Sequence, residues 1–254
     1  MSEDRSIPLL WQSLTVLGFI ALVLGVLVVP AILERRTQRV IGIRANDVSK
    51  SGLVYLHLAQ QHCQVQVRQL IEGDSVVNID YSDRPEMIED TAVEKVEQLL
   101  PLQKKCRELQ SNHYLVPRTL GIHTGTSLHL LLDQILVVIQ SKRAQGTIVP
   151  IVITIWLQAA EPVPNQPGLN FAQLRTQIQK ITDQRAVVTI MGPTGQLQAD
   201  LLIALKQNAL ARVCTVNDID DCVKWAYQLG RTQLSIAHNA SMTNHDAQEP
   251  HFTH

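Results

Sequence analysis

The sequence predicts an α/β protein, with one doubly wound, mostly parallel sheet preceded by a single N-terminal transmembrane helix. Three observations carry that prediction. From Arg39 onward, short apolar runs alternate with segments of helical period, as in a sheet covered by helices on both faces. TIVPIVITIWLQ, at 147–158, is a continuous apolar run of the kind seen in central parallel strands. LTVLGFIALVLGVLVVPAIL, at 14–33, is almost wholly apolar, and no charged residue stands between Arg5 and Glu34. About 20 such residues cross a bilayer core.

A cleaved signal peptide would need a basic start and a small-residue exit, and MSEDRSIP is not basic. A retained, single-pass anchor is therefore expected, with Trp11 near one interface and Pro30 near the far end. Arg35, Arg36, Arg39 and Arg44 follow it, against Arg5 alone before it. That bias places the soluble domain in the cytoplasm, with a periplasmic or extracellular position as the alternative. A net charge of −1, without clustered Lys and Arg in the domain, argues against nucleic acid as a partner. Cys63, Cys106, Cys214 and Cys222 form no C-x-x-C pair and are expected as buried small hydrophobes, mildly in keeping with a reducing compartment. The chain then divides into an N-terminal segment (1–13), the transmembrane helix (14–33), a basic linker (34–38), an α/β domain (39–230) and a polar, disordered tail (231–254).

Element by element, VIGIRA (40–45) is the first strand, ending at Asp47, and 52–71 is a helix with Leu53, Leu56, Cys63, Val67 and Leu70 inward. A second strand runs within EGDSVVNIDYS (72–82). TAVEKVEQLLPLQKKCREL (91–109) is expected as a helix interrupted by Pro101, and HYLVPRTL (113–120) as a short edge strand. GTSLHLLLDQILVVIQ (125–140) opens a helix, and Pro150 stands at the start of the central strand, where a missing N–H does least harm. The proline-rich 159–170 is a loop, followed by a helix at 171–182, a strand AVVTIMG (186–192) and a crossover helix at 196–208. ARVCTVND (211–218) supplies the last strand; Asp218 caps a helix that Gly230 ends.

Ligands of open parallel sheets bind where the carboxyl ends of strands meet a change in strand order. NDVSKSG puts Asp47, Ser49 and Ser51 at every second position just past the first strand. Thr124 and Thr126 precede another helix, and Gln158 follows the central strand. Hard divalent cations such as magnesium prefer oxygen donors of this sort. The plain alternative is that Asp47 or Ser49 caps the next helix and Thr126 its own.

The series of a strand with DVSKS, a helix, GDSVVNIDYS, then GTSL before a helix and a buried strand resembles the von Willebrand factor type A domain with its metal-ion-dependent adhesion site. The resemblance covers most of the chain beyond the anchor and implies a Rossmann-like sheet. It also implies that Asp47, Ser49, Ser51 and Thr126 hold Mg2+ or another divalent cation, with Asp47 acting chiefly through water. Where the family continues its central strand into an Asp-Gly pair, Gln158 and Ala159 stand here, so one carboxylate is missing and the cation should bind more weakly.

By the same resemblance the chain is not an enzyme but a membrane-anchored module that binds a protein partner in a membrane-associated complex, as do relatives that work beside AAA+ ATPases. The alternative is a structural subunit whose metal site no longer functions. His57, His62, His113, His123 and His129 form no recognisable pair with a nucleophile, which keeps hydrolysis in third place.

Overall fold

The computed structural model of the chain describes residues 39–49, 56–108, 125–160 and 168–246. In order these form β1 (Ile41–Asp47), α1 (Leu56–Gln69), β2 (Ser75–Tyr81), β3 (Pro85–Ala92), α2 (Leu99–Glu108) and α3 (Leu128–Ala144). They continue as β4 (Ile151–Trp156), α4 (Phe171–Asp183), β5 (Ala186–Met191), α5 (Gly195–Leu205), β6 (Ala211–Cys214) and α6 (Ile219–Asp246). One sheet runs β3-β2-β1-β4-β5-β6. Every neighbouring pair is parallel except β2 with β3. The chain leaves β1 toward β2 on one side and later returns to β4 on the other, so the switch in strand order lies between β1 and β4.

β4 and β5 are buried at every position, which is why they read as unbroken apolar runs. Ile41, Ile43, Ala45, Ile153, Ile155, Val188 and Ile190 point to one face, where Leu131, Leu132 and Ile135 of α3, Ile178 of α4 and Leu201 of α5 cover them. The opposite face meets α1, α2 and α6 through Cys63, Leu102, Cys106, Val223 and Tyr227. Strand alternation puts Gly42, Arg44 and Asn46 of β1 on that second face. At Gly42 a Cβ would collide with the Tyr227 hydroxyl, so glycine lets α6 lie close to β1.

The structure departs from the sequence reading in several places. β3 is an antiparallel edge strand that the sequence reading leaves unassigned, and only its last two residues, Thr91 and Ala92, fall in the stretch expected as helix. Its mixed, partly exposed sequence, with Glu86, Glu89 and Asp90, protects an edge and hides the strand signal. Pro101 does not break α2, because it sits in the first turn, where its missing N–H has no intrahelical acceptor to lose. Residues 113–120 lie outside those described.

Gly230 does not end the last helix, and the stretch expected as a disordered tail from Arg231 is helical to Asp246. A Cβ at Gly230 would approach Val152 Cγ2 to 2.7 Å, so this glycine serves close packing on β4 rather than termination. Arg231 then pairs with the fully buried Asp74 at 2.5 and 3.1 Å, while Asp74 also accepts from the Val40 and Ile71 amides at 2.8 Å each. Asp218 does not cap α6; it lies in a preceding 3-10 turn whose cap is Thr215, donating from its hydroxyl to Asp218 at 2.6 Å.

The cysteines are not unpaired hydrophobes. Cys63 of α1 is joined to Cys106 of α2, and Cys214 of β6 to Cys222 of α6. Folding brings partners 43 residues apart together, which sequence spacing does not reveal. No helix among the described residues is long and apolar enough to cross a membrane; the predicted span at 14–33 lies outside them.

Candidate functional site

Parallel pairing aligns the carboxyl end of β1 with those of β2 and β4, Asp47 opposite Tyr81 and Asn46 opposite Trp156. Asp47 and Ser49 are buried there, and the Asp47 carboxylate turns the chain by accepting the Ser49 amide at 2.9 Å. The Val48 amide donates to the Tyr81 carbonyl at 2.9 Å, holding the loop after β1 against the end of β2. One residue on, the Ser82 carbonyl accepts the Ser127 amide at 2.6 Å and ties the start of α3 to the same place. Thr126 is adjacent to that bond. Asp47, Ser49 and Thr126 thus belong to loops linked to one another through β2, at the switch point. Ser51 and Thr124 lie outside the described residues.

Ser127, not Thr126, occupies the cap position of α3. The Thr126 hydroxyl, on a residue 6% exposed, has no hydrogen-bond partner among the described residues, so capping does not account for it. Burying a hydroxyl unpaired is costly, and such a group at a strand-end cleft is expected to meet a ligand. Gln158, at the end of β4, is 9% exposed, and its Oε1 likewise has no partner.

Tyr81 anchors the floor of the site. Its hydroxyl donates to the Trp156 carbonyl at 2.8 Å, reaching from β2 across β1 to β4. Burial, and secondarily the nearby negative charge of Asp47, raise its pKa well above the ordinary phenol value, so it stays a proton donor. The Trp156 ring in turn packs against Gly192, whose φ of 96° and the ring atoms 2.9 Å from an added Cβ both require glycine.

The donor set of Asp47, Ser49 and Thr126 is one carboxylate and two hydroxyls, hard oxygens that fit magnesium better than a soft metal. Among the described residues no three His, Cys, Asp or Glu side chains gather as a metal cluster, so a cation here would depend on hydroxyls and water for most of its shell. Sequence reasoning missed the Ser82 carbonyl and Tyr81, which are legible only once β2 is placed beside β1. It also missed an open cavity of about 300 Å³ beside Gln158, lined by Leu169, Phe171, Thr194, Leu197 and Asp200.

No protein-family model and no curated protein matches this chain. Among solved structures, it is similar to a von Willebrand factor type A protein from Catenulispora acidiphila at 12% identity and a TM-score of 0.52, covering 76% of this chain and 43% of that one. It is also similar to proximal thread matrix protein 1 from the mussel byssus, at 13% identity and a TM-score of 0.50, over 75% and 47% of the two chains. The pilus adhesin SpaC of Lactobacillus rhamnosus GG matches at 9% identity and a TM-score of 0.50, over 77% and 30%. The fold is von Willebrand A-like. Identities this low show the von Willebrand A-like fold alone, and this chain spans less than half the length of each of these proteins.

Proposed function

We propose that the chain is a membrane-anchored protein-binding module that captures an acidic side chain of a partner at the carboxyl end of β1. The observation that carries this is the buried, partnerless Thr126 hydroxyl on a loop tied to that of Asp47 and Ser49. Asp47, Ser49, Thr126 and, from the sequence pattern, Ser51 would hold a divalent cation. When bound, that cation supplies an electrophilic centre open to a carboxylate. Asp47 contributes the charge, the hydroxyls contribute oxygen donors, and Tyr81 fixes the strand ends beneath them. In this reading the chain is not an enzyme, and the family resemblance adds an AAA+ ATPase as a candidate partner.

The test is thermal melting of the purified chain with magnesium, with chelator, and in Thr126→Val and Thr126→Ser. A cation at 100 times its dissociation constant stabilises by about 2.7 kcal/mol. The shift should persist in Thr126→Ser and vanish in Thr126→Val; equal melting with magnesium and chelator in the unsubstituted chain overturns the cation. Recovery of partners from solubilised membranes with and without chelator then tests capture.

The second reading, a structural subunit without a working metal site, is favoured by Gln158, an amide at the end of β4 where a second carboxylate would add charge. Chelator-independent recovery of the same partner supports it. The two disulfides also favour the alternative sidedness, with the domain facing an oxidising periplasm or exterior. Thiol labelling in intact cells, before and after reduction, checks this: labelling without a reductant places the domain in the cytoplasm.

A further inference from the structure

Beside the strand ends described above lies a cavity of about 300 Å³, at the lower limit for ligand pockets and suited to one side chain rather than a cofactor. Its walls are Ala159, Ala160, Leu169, Phe171 and Leu197, with Thr194, Gln158 and Asp200 as polar members. Asp200 is the only ionisable one among the described lining residues. Its Oδ1 accepts from the Gln196 side-chain Nε2 at 2.7 Å, a neutral donor that does not compensate its charge. Gln158, nine-tenths buried, presents an Oε1 without a hydrogen-bond partner among the described residues. Thr194 precedes α5 without a side-chain capping bond, leaving first-turn amides of that helix free of its hydroxyl.

We infer that this cavity binds an arginine side chain of a protein partner. The guanidinium is a planar fork of N–H donors, able to serve the Asp200 carboxylate and the Gln158 carbonyl together. The arginine stem is aliphatic and matches Leu169 and Leu197, and the Phe171 ring offers a face for the cation. An arginine within a peptide also carries a backbone carbonyl, to which the uncapped amides of α5 can donate. An anionic ligand would satisfy those amides but would face Asp200 and leave Gln158 Oε1 without a donor. An apolar side chain would satisfy none of the three. The site needs no cation at Asp47, so it stands or falls separately from the proposed metal site.

The probe is N-acetyl-L-arginine N-methylamide, titrated by NMR into the full chain in detergent with chelator present, following the Gln158 side-chain amide and the Thr194 and Leu197 backbone signals. Saturable shifts at these positions are expected. Asp200→Asn should weaken the apparent affinity about tenfold, the loss of one charge-assisted hydrogen bond. Gln158→Leu, which leaves Asp200 intact, should weaken it by a smaller factor, with melting curves verifying that both variants fold. The norleucine analogue, with the same stem and no cation, should give no shift at matched concentration. Equal binding of norleucine, unchanged arginine binding in Asp200→Asn, or an absence of shifts at these three residues would each overturn the assignment. A lysine analogue as tight as arginine would overturn the requirement for a fork.

Discussion

The two faces of the sheet are built on different principles. Under α3, α4 and α5 the middle of the sheet presents aliphatic side chains and alanine, with Tyr81 and Asp47 at the strand ends and Asp90 on the edge strand, where Lys142 of α3 meets it at 2.6 Å. Under α1, α2 and α6 they present Gly42, Arg44, Asn46 and Thr154, with His62 and Gln66 buried above them from α1. Asn46 reaches Asp80 at 3.2 Å, and an Arg44 guanidinium N–H donates to Cys63 Sγ. Both ring nitrogens of His62 and the Thr154 hydroxyl have no hydrogen-bond partner. Apolar burial stabilises by about 25 cal/mol per Å², whereas unsatisfied polar burial costs a few kcal/mol per group. The second face is therefore the weaker by its packing, and it is the face that carries both disulfides and the Arg231–Asp74 pair. Covalent and ionic ties stand where the hydrophobic contribution is smallest.

The largest expected effect is reduction. In the chain-entropy account, a loop of 43 residues is worth about 4 kcal/mol and one of 8 about 2.5 kcal/mol. Urea melts with and without dithiothreitol, repeated on Cys63→Ser/Cys106→Ser, should show the larger share in that pair; no change on reduction would break the comparison. Asp74→Asn comes next, because it leaves Arg231 buried without its carboxylate, at a cost of about 3–5 kcal/mol in the same melts. On the aliphatic face, Ile153→Ala should cost about 3 kcal/mol in the same melts from lost transfer energy and the cavity left behind, and its effect should be insensitive to reductant.

These elements also show how far the sequence could be read. β4 and β5 announce themselves, because burial on both faces demands an unbroken apolar run. β3 is hidden because an edge strand needs polar residues. Gly230 misleads because the same absence of a side chain serves helix ends and close packing, and only Val152 across the interface distinguishes them. Asp47, Ser49 and Thr126 were legible as strand-end oxygens, and Gln158 as an amide in an acid's position. The cavity was not legible, since Gln158 and Asp200 meet only when α5 is laid beside the end of β4. The disulfides were invisible for the same reason of long-range contact.

Within the first pH unit below 6.5, a smaller effect comes from His62. Burial, with the charge of Arg44 second, lowers its pKa from 6.5 to about 3, so the folded state holds it neutral while the unfolded chain takes a proton near 6.5. The unfolded state binds more protons between those values, so stability is full above pH 6.5 and falls as pH drops toward 3, by up to about 1.4 kcal/mol per pH unit. In His62→Leu that contribution should be lost, so the difference between the two pH profiles should carry the slope; a variant profile that keeps it unchanged would assign it to other groups. Smallest of all is Lys105→Ala, which removes the 2.6 Å pair to Glu89 on the edge strand. Burial pushes Glu89 up, but hydrogen bonds from Lys105, Thr91 and Asn78 with the Lys105 charge outweigh it and hold its pKa low. With Lys105 largely exposed, the loss should stay under about 1 kcal/mol and shrink further in salt.

The bond from the Tyr81 hydroxyl to the Trp156 carbonyl joins two strands that are not neighbours, passing over the one between them. It acts as a crossbar, holding the ends of β2 and β4 at a fixed spacing. In the proposed capture, a guest that fits would not have to wait for these ends to draw together, so little ordering entropy would be lost on arrival. One that is too wide would, in that capture, meet strand ends that cannot spread without first breaking the buried Tyr81 hydroxyl's bond to the Trp156 carbonyl.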